Sequence, residues 1–256
     1  MKEIKIIGLK KSKSKYIIET ETDEYNVDDD TVIKFQLFKD RIITENELNN
    51  ALSYYHENLY FNKSLNYLSY KTRSVYEIEK YLQKYDLDEN KINSIICRLK
   101  NLGYLDDLKF AEGYLDYCFR NNKGPNYFKN KLLEKKVKLS YIEKVLKKYD
   151  EETEKSIIEN VVKKEARKLK TYPFTKQKQK IITKLIQNGF NYESILEIIN
   201  KFSFVDESDE RLTKDYHKLL SKYQKEDLNN YLIKQKIIKN LLSKGYEYEK
   251  ILSKLE

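Results

Sequence analysis

The chain has 256 residues, of which 40% are hydrophobic, and a formal net charge of +9, so it can fold into one large or two small domains. No stretch approaches the 18 or more uncharged apolar residues of a membrane span, and the first residues lack the apolar core of a signal peptide. Six glycines, two prolines and no glycine-rich phosphate loop favour a mostly helical protein that binds no nucleotide. We therefore expect a cytoplasmic protein without a membrane partner.

The cysteines and histidines do not form a pattern typical of metal or redox chemistry. Cys97 and Cys118 lack CxxC spacing and nearby histidine partners, and His56 and His217 are far apart. We expect no metal or other cofactor, and we interpret both cysteines as buried or half-buried reduced thiols.

The N-terminal segment, residues 1–62, is predicted to be a small α+β unit. Its strands are expected over residues 3–9, 15–20, 24–27 and 41–44. The basic turn KKSKSK joins the first two strands, and three acids at 28–30 suit the positive end of a helix. Thr44 with Glu47 is a predicted capping box for a helix running toward residue 60.

From about residue 63 the apolar residues recur at the 3.6-residue period of α-helices. Predicted helix starts are Ser74 with Glu77, Asp88, Asp106, Pro125, and Ser140 with Glu143. Each pair of shorter helices follows a further helix, expected at about 63–71, 106–121, 151–171 and 208–224.

The sequence pattern of one helical hairpin occurs twice near the C-terminus. Residues 178–196 reappear in pattern as 234–252, with Gly189 and Gly245 at matching positions. Glycine there supplies the left-handed residue that ends a helix, and the next apolar residue packs inward. Degenerate copies occur at 74–98 and 124–148, so the sequence contains four three-helix units.

The predicted fold class is therefore mainly α, with tandem three-helix repeats in an elongated array after the small N-terminal α+β segment. The predicted repeats cover residues 63–105, 106–150, 151–205 and 206–256.

Positive charge is concentrated in two segments. Residues 120–148 contain ten Lys or Arg and two Asp or Glu. Residues 163–184 contain nine Lys or Arg and one Glu. Such local imbalance is typical of surfaces that contact nucleic acid or another polyanion. The alternative is a solvated helix face in a lysine-rich protein, since abundant Lys, Asn, Ile and Tyr is also what an AT-rich genome encodes.

Three consecutive strings carry a family resemblance: LNYLSYKTRSVYEIEKYL at 65–82, RLKNLGYLDDLKFAEGYL at 98–115 and NKGPNYFKNKLLEKKV at 122–137. Their order resembles the RecX family of regulatory proteins, which are tandem three-helix repeats that bind and modulate the RecA recombinase. The matching positions are Leu68-Ser69, Arg73-Ser74, Glu77, Leu82, Gly103-Tyr104, Asp106-Asp107, Phe110-Ala111, Tyr114, Gly124 and Leu132. Lys136 departs from the pattern, because a glycine is commoner there.

The resemblance implies a non-enzymatic monomer that lies along the RecA nucleoprotein filament and inhibits its ATPase, recombinase and co-protease activities in DNA repair and recombination. Single- and double-stranded DNA are further expected partners. The candidate contact residues are Lys71, Arg73, Arg120, Lys123, Lys129, Lys131, Lys135, Lys163, Lys164, Arg167, Lys168, Lys170, Lys176, Lys178 and Lys180. The alternative function is a basic helical nucleic-acid-binding protein without a recombinase partner.

Two other features have a structural and a functional interpretation. Asp106 and Asp107 could be paired catalytic carboxylates, but helix capping explains them without catalysis. Tyr76, Tyr81 and Tyr85 could stack on bases, although packing in the core or in helix grooves is the favoured interpretation.

Overall fold

A computed structural model describes residues 3–12, 15–226 and 229–255. The chain divides into two compact units, Met1–Phe110 and Ala111–Glu256. The architecture is mainly α, with a small N-terminal sheet followed by sets of three helices, which confirms the predicted fold class. Residues 13 and 14 of the predicted KKSKSK turn lie outside the described residues.

The N-terminal sheet is antiparallel throughout and has the strand order β3-β2-β1-β4. Its strands are β1 (Glu3–Ser12), β2 (Lys15–Thr20), β3 (Glu24–Val27) and β4 (Ile42–Thr44). Alternation along the strands buries Ile6, Ile18 and Val27 in one core. All four predicted strands are present, and β1 extends three residues beyond its prediction.

Helix α1 (Asp29–Phe35) and the long helix α2 (Glu45–Ser69) cover this core. The predicted capping box at the start of α2 is confirmed, because Thr44 and Glu47 bond to each other's backbone N–H groups. The separate helix predicted at 63–71 is wrong, since α2 runs through residue 62 without a break. No glycine or proline interrupts 45–69, and one helix thereby places Tyr55 in the first core and Phe61 in the next.

The first three-helix unit consists of the end of α2 with α3 (Val75–Leu82) and α4 (Glu89–Asn101). Ser74 with Glu77 forms the predicted capping box, and Asp88 caps α4 by accepting a hydrogen bond from the N–H of Lys91 at 2.9 Å. The apolar faces of the three helices meet in a second core, so local capping and hydrophobic periodicity agree.

The remaining helices continue the three-helix pattern. They are α5 (Asp107–Arg120), α6 (Pro125–Glu134), α7 (Leu139–Leu146), α8 (Glu151–Leu169), α9 (Phe174–Gln187), α10 (Tyr192–Lys201), α11 (Asp209–Tyr223), α12 (Asn230–Ser243) and α13 (Tyr248–Leu252). The division into the repeat ranges given above stays a prediction. The capping box predicted at Ser140 and Glu143 is wrong, because α7 begins one residue before Ser140 and its N-cap, Lys138, makes no side-chain cap hydrogen bond.

Three equivalent turns between the second and third helices of a unit adopt left-handed backbone conformations. The φ angles are 53° at Lys136, 84° at Gly189 and 93° at Gly245. The residues that follow are Val137, Phe190 and Tyr246, all buried. The predicted glycine helix stops are confirmed, and Lys136 adopts the glycine-like conformation despite its side chain.

Gly189 also lies where two repeats touch. A Cβ atom at Gly189 would stand 2.3 Å from the backbone N of Tyr127. The N–H of Gly124 donates to the carbonyl of Asn188 at 2.8 Å, and that of Asn126 donates to the carbonyl of Gly189 at 3.0 Å. This turn therefore supplies acceptors for N–H groups that the start of α6 cannot satisfy within its own helix.

Candidate nucleic-acid interface

Helix α8 presents its basic residues on the side opposite its apolar stripe. Ile158, Val161 and Val162 face inward and are buried. The residues left exposed include the predicted set Lys163, Lys164, Arg167, Lys168 and Lys170. Helical periodicity alone thus gathers these five cations on the solvent side of the third repeat.

Ion pairs compensate three of these five side chains. Lys163 pairs with Glu159 at 3.3 Å, Lys168 with Glu165 at 2.8 Å, and Lys170 with Glu207 at 2.8 Å. Within the described ranges, the side chains of Lys164 and Arg167 make no hydrogen bond or ion pair. These two residues are the cations of α8 that are free to meet a polyanion.

Glu165 connects the basic faces of α8 and α9. Its carboxylate accepts from Lys168 at 2.8 Å and from Lys184 at 3.0 Å, and its side chain is only 14% exposed. Burial raises the pKa of this carboxyl, but the two lysine hydrogen bonds outweigh that effect and hold the pKa below its ordinary value. Glu165 therefore stays ionised and keeps the lysines of two helices together.

The predicted α9 lysines contact aromatic rings or an amide, and they form no ion pair with a carboxylate of the residues that the structure describes. The ammonium of Lys178 is 4.4 Å from the ring centre of Phe174, and that of Lys180 is 4.4 Å from the ring centre of Tyr172. Lys176 donates to the Oε1 of Gln179 at 3.0 Å. These contacts orient the amines without cancelling their charge.

A groove of about 330 Å³ runs beside Arg167. Lys163, Arg167 and Lys170 line it together with Phe202 and Val205 of the segment between α10 and α11. The ring of Phe202 packs on that of Phe204 at 4.8 Å between centroids. Aromatic rings next to cations are typical of surfaces that bind single-stranded nucleic acid. Sequence reasoning missed these phenylalanines, although the string KFSFV between two helices was a signal for them.

Comparisons with known proteins bear on the whole chain. Residues 61–99 match a family model described as the first three-helix domain of RecX. Regulatory protein RecX of Staphylococcus epidermidis is 32% identical over 261 residues, covering 100% of this chain and 97% of the relative. The RecX of Staphylococcus aureus strain JH9 is 32% identical over 98% of this chain and 94% of its own. The chain belongs to the RecX family of regulatory proteins.

Solved RecX structures share the fold of this RecX-family chain. A crystal structure of regulatory protein RecX covers 77% of this chain and 100% of its own, with a TM-score of 0.63 and 23% identity. A crystal structure of RecX from Lactobacillus salivarius covers 57% of this chain and 95% of its own, with a TM-score of 0.51 and 29% identity. The family resemblance predicted from the sequence is confirmed.

The predicted basic residues between 120 and 135 differ in their surroundings. Lys129 is exposed, whereas Lys131 pairs with Glu134 at 2.8 Å. Lys123 is half-buried and donates to the Oδ1 of Asn188 at 2.8 Å, so it helps to join two repeats. Arg120, which is exposed, donates to a backbone carbonyl of its own helix, and Lys135 is half-buried in the turn after α6.

Arg73, a candidate contact residue near the start of α3, packs against a tyrosine. Its guanidinium carbon lies 3.5 Å from the ring centre of Tyr67, and its Nε donates to the Tyr67 carbonyl at 3.2 Å. The Tyr67 ring stacks on Tyr81 at 4.1 Å, and Tyr81 meets Tyr85 edge to face. These contacts favour the packing interpretation for Tyr81 and Tyr85. Lys71 is exposed in the turn after α2.

The aspartates once considered as catalytic carboxylates both serve helix starts. Asp106 accepts from the N–H groups of Leu108 and Lys109 at 2.9 and 3.1 Å. Asp107 accepts from the N–H of Val75 at 2.9 Å, at the first residue of α3. Their hydrogen bonds thus tie the start of α5 to itself and to α3.

Across residues 3–12, 15–226 and 229–255, no group of three or more His, Cys, Asp or Glu is placed to hold a metal ion. No helix in the same ranges is long and apolar enough to cross a membrane. Cys118 is buried as predicted, but the prediction for Cys97 is wrong, because that thiol lies on the exposed side of α4.

Proposed function

We propose that this RecX-family protein acts on the RecA nucleoprotein filament and inhibits its ATP hydrolysis, strand exchange and co-protease function. Similarity to RecX proteins over the full length of the chain supports the recombinase partner. The observation that carries the polyanion contact is the α8 surface, where Lys164 and Arg167 are exposed and form no ion pair with a carboxylate in the described part of the chain. No step of this function requires chemistry by the chain itself.

The α8 cations support electrostatic attraction to phosphates, and the similarity to RecX proteins supports RecA as the partner. Cations that lack a carboxylate partner can neutralise phosphates and release counterions, which makes binding strongly dependent on salt. Paired lysines such as Lys168 must first give up Glu165, so they contribute less. We therefore infer that Lys164 and Arg167 contribute most of the α8 contact.

The test adds the full chain to preformed RecA filaments on single-stranded DNA and follows ATP hydrolysis and co-sedimentation. Inhibition together with filament binding is expected. Unchanged hydrolysis with no binding at moderate salt would rule out the recombinase partner. Binding to bare DNA with a steep salt dependence, in the same experiment, would favour the alternative of a general nucleic-acid-binding protein.

Charge-neutral variants then test the surface. Lys164→Gln with Arg167→Gln should weaken filament binding and reduce the slope of log affinity against log salt by about two. The matched control, Lys214→Gln with Lys218→Gln, removes the same charge from the exposed face of α11. If both double variants bind the filament as the wild type does, the basic face of α8 is only a solvated surface.

A further inference from the structure

The second unit contains a separate basic cleft, of about 360 Å³, between the start of α9 and the fourth repeat. The charge distribution along the sequence did not indicate this cleft. Four acids at 206–210 precede Arg211, so the net charge of that segment is negative. Its lining includes Tyr172, Lys176, Arg211, Asp215, Lys244 and Tyr246.

The carboxylate in the wall of this cleft is already compensated. Asp215 pairs with Lys244 at 2.8 Å and accepts a hydrogen bond from the hydroxyl of Tyr246 at 2.9 Å. Burial raises the pKa of Asp215, but the bonds from Lys244 and Tyr246 prevail and hold the pKa below its ordinary value. Among the described residues, Asp215 therefore forms its ion pair with Lys244 and none with Arg211 or Lys176.

Arg211 of the cleft and Lys180 of α9 both lie over the ring of Tyr172. The guanidinium carbon of Arg211 lies 3.7 Å from the ring centre of Tyr172, and the ammonium of Lys180 lies 4.4 Å from the same centre. Lys176 enters the cleft from α9, and its one hydrogen bond to a described residue goes to the amide oxygen of Gln179. Among the described residues, Lys176, Lys180 and Arg211 form no ion pair with a carboxylate.

The contact with the Tyr172 ring restrains the guanidinium of Arg211. A guanidinium held in this way loses little conformational freedom when its N–H groups bind the oxygens of a planar or tetrahedral anion. Arg211 beside the phenol, and then Lys180, stabilise the phenolate and hold the pKa of Tyr172 below its ordinary value. The cleft thus keeps an uncompensated positive potential.

We propose that this cleft binds a phosphate group, with Arg211 as its bidentate donor, Lys176 as a second cation and Tyr172 as the residue that positions Arg211. The phosphate can belong to a nucleic-acid backbone or to a free phosphate compound, and both present the same oxygens. The proposal does not depend on a recombinase partner, since it requires only the cleft and its charges.

The experiment titrates the full chain with sodium pyrophosphate at constant ionic strength and follows backbone amide signals by ¹H–¹⁵N NMR. The amide signals of residues 172, 174–176, 211 and 243–246 should shift together. Lys176→Gln with Arg211→Gln should weaken pyrophosphate binding at least about tenfold, whereas Lys214→Gln with Lys218→Gln should change it less than about twofold. Equal weakening in both variants, or shifts elsewhere only, would overturn the proposal.

A second titration, with an oligothymidylate, distinguishes the two phosphate sources. Competition between pyrophosphate and the oligonucleotide, lost in the Lys176→Gln and Arg211→Gln variant, assigns the cleft to a backbone phosphate. Pyrophosphate binding without competition assigns it to a free phosphate compound. Both titrations are repeated with the single variant Lys176→Gln, which leaves the contact of Arg211 with Tyr172 intact. Weaker binding in this variant would show that a folding defect does not explain the result of the double variant.

Discussion

The hydroxyl of Thr175 donates a hydrogen bond of 2.7 Å to the carbonyl oxygen of Gly245, which follows it by 70 residues. The second helix of the third repeat thereby meets the turn of the fourth. A similar contact joins the start of α6 to the turn between α9 and α10, where the backbone N–H of Asn126 donates to the carbonyl oxygen of Gly189 at 3.0 Å. The duplicated hairpin in the sequence is therefore both a helix ending and a contact that sets the spacing of neighbouring repeats.

Gly245→Ala should lower the free energy of unfolding by at least about 1 kcal/mol. The φ angle of 93° is unfavourable for alanine, and its Cβ would stand 2.3 Å from the Thr175 hydroxyl. Gly113→Ala is the control, because Gly113 lies inside α5 with open space around it; it should stabilise by about 0.5–1 kcal/mol. Urea unfolding of both variants checks the difference, and a neutral Gly245→Ala would refute the spacing role.

Ser74→Ala should destabilise the chain by about 1 kcal/mol, because Ser74 is buried and caps α3 through the N–H of Glu77. Ser140→Ala is the matched comparison. Ser140 lies inside the first turn of α7 and does not cap it, so its loss should change stability by less than about 0.5 kcal/mol. Equal effects on thermal unfolding would contradict the observed start of α7.

Glu165→Gln should reduce stability near neutral pH, because the carboxylate holds Lys168 and Lys184 together. The pKa of Glu165 is lowered on folding from its ordinary value of 4.5. Its contribution is therefore complete above that value and is lost as the pH falls through the folded pKa. Urea unfolding at several pH values should show the wild type losing its advantage over Glu165→Gln only in acid; a constant difference would count against the linkage.

The two thiols should react at very different rates with a disulfide reagent at neutral pH. Cys118 is fully buried, and burial raises the pKa of its thiol to about 12, whereas Cys97 is exposed. One thiol should react quickly in the native protein and two in urea. Cys97→Ser should abolish the fast phase, and a fast phase that survives this change would show that Cys118 is accessible.

Local signals in the sequence located most of the fold because they act over a few residues. Ser74 and Asp88 start helices, Gly189 and Gly245 end them, and the strands alternate as expected. The failures arose where local signals competed. Ser140 has the pattern of a cap but lies in a helix, and α2 continues through residue 62 because two cores share it.

The candidate sites were predicted less completely than the fold. Counting charge along the chain found the α8 and α9 lysines, but it could not separate Lys168, which is paired, from Arg167, which is not. The same count did not identify Arg211, which contacts the ring of Tyr172, because the acids that precede it make the local net charge negative. Ion pairing depends on which side chains meet across helices, and a running charge does not contain that information.

The sequence by itself determined the helical repeats, the family and the segments that carry positive charge, because periodicity, capping and composition are properties of neighbouring residues. Only the tertiary structure decided which cations stay uncompensated and which glycines must remain glycine. Those outcomes depend on distances between residues far apart in the chain, such as Lys184 to Glu165 and Thr175 to Gly245. They are fixed when the helices pack.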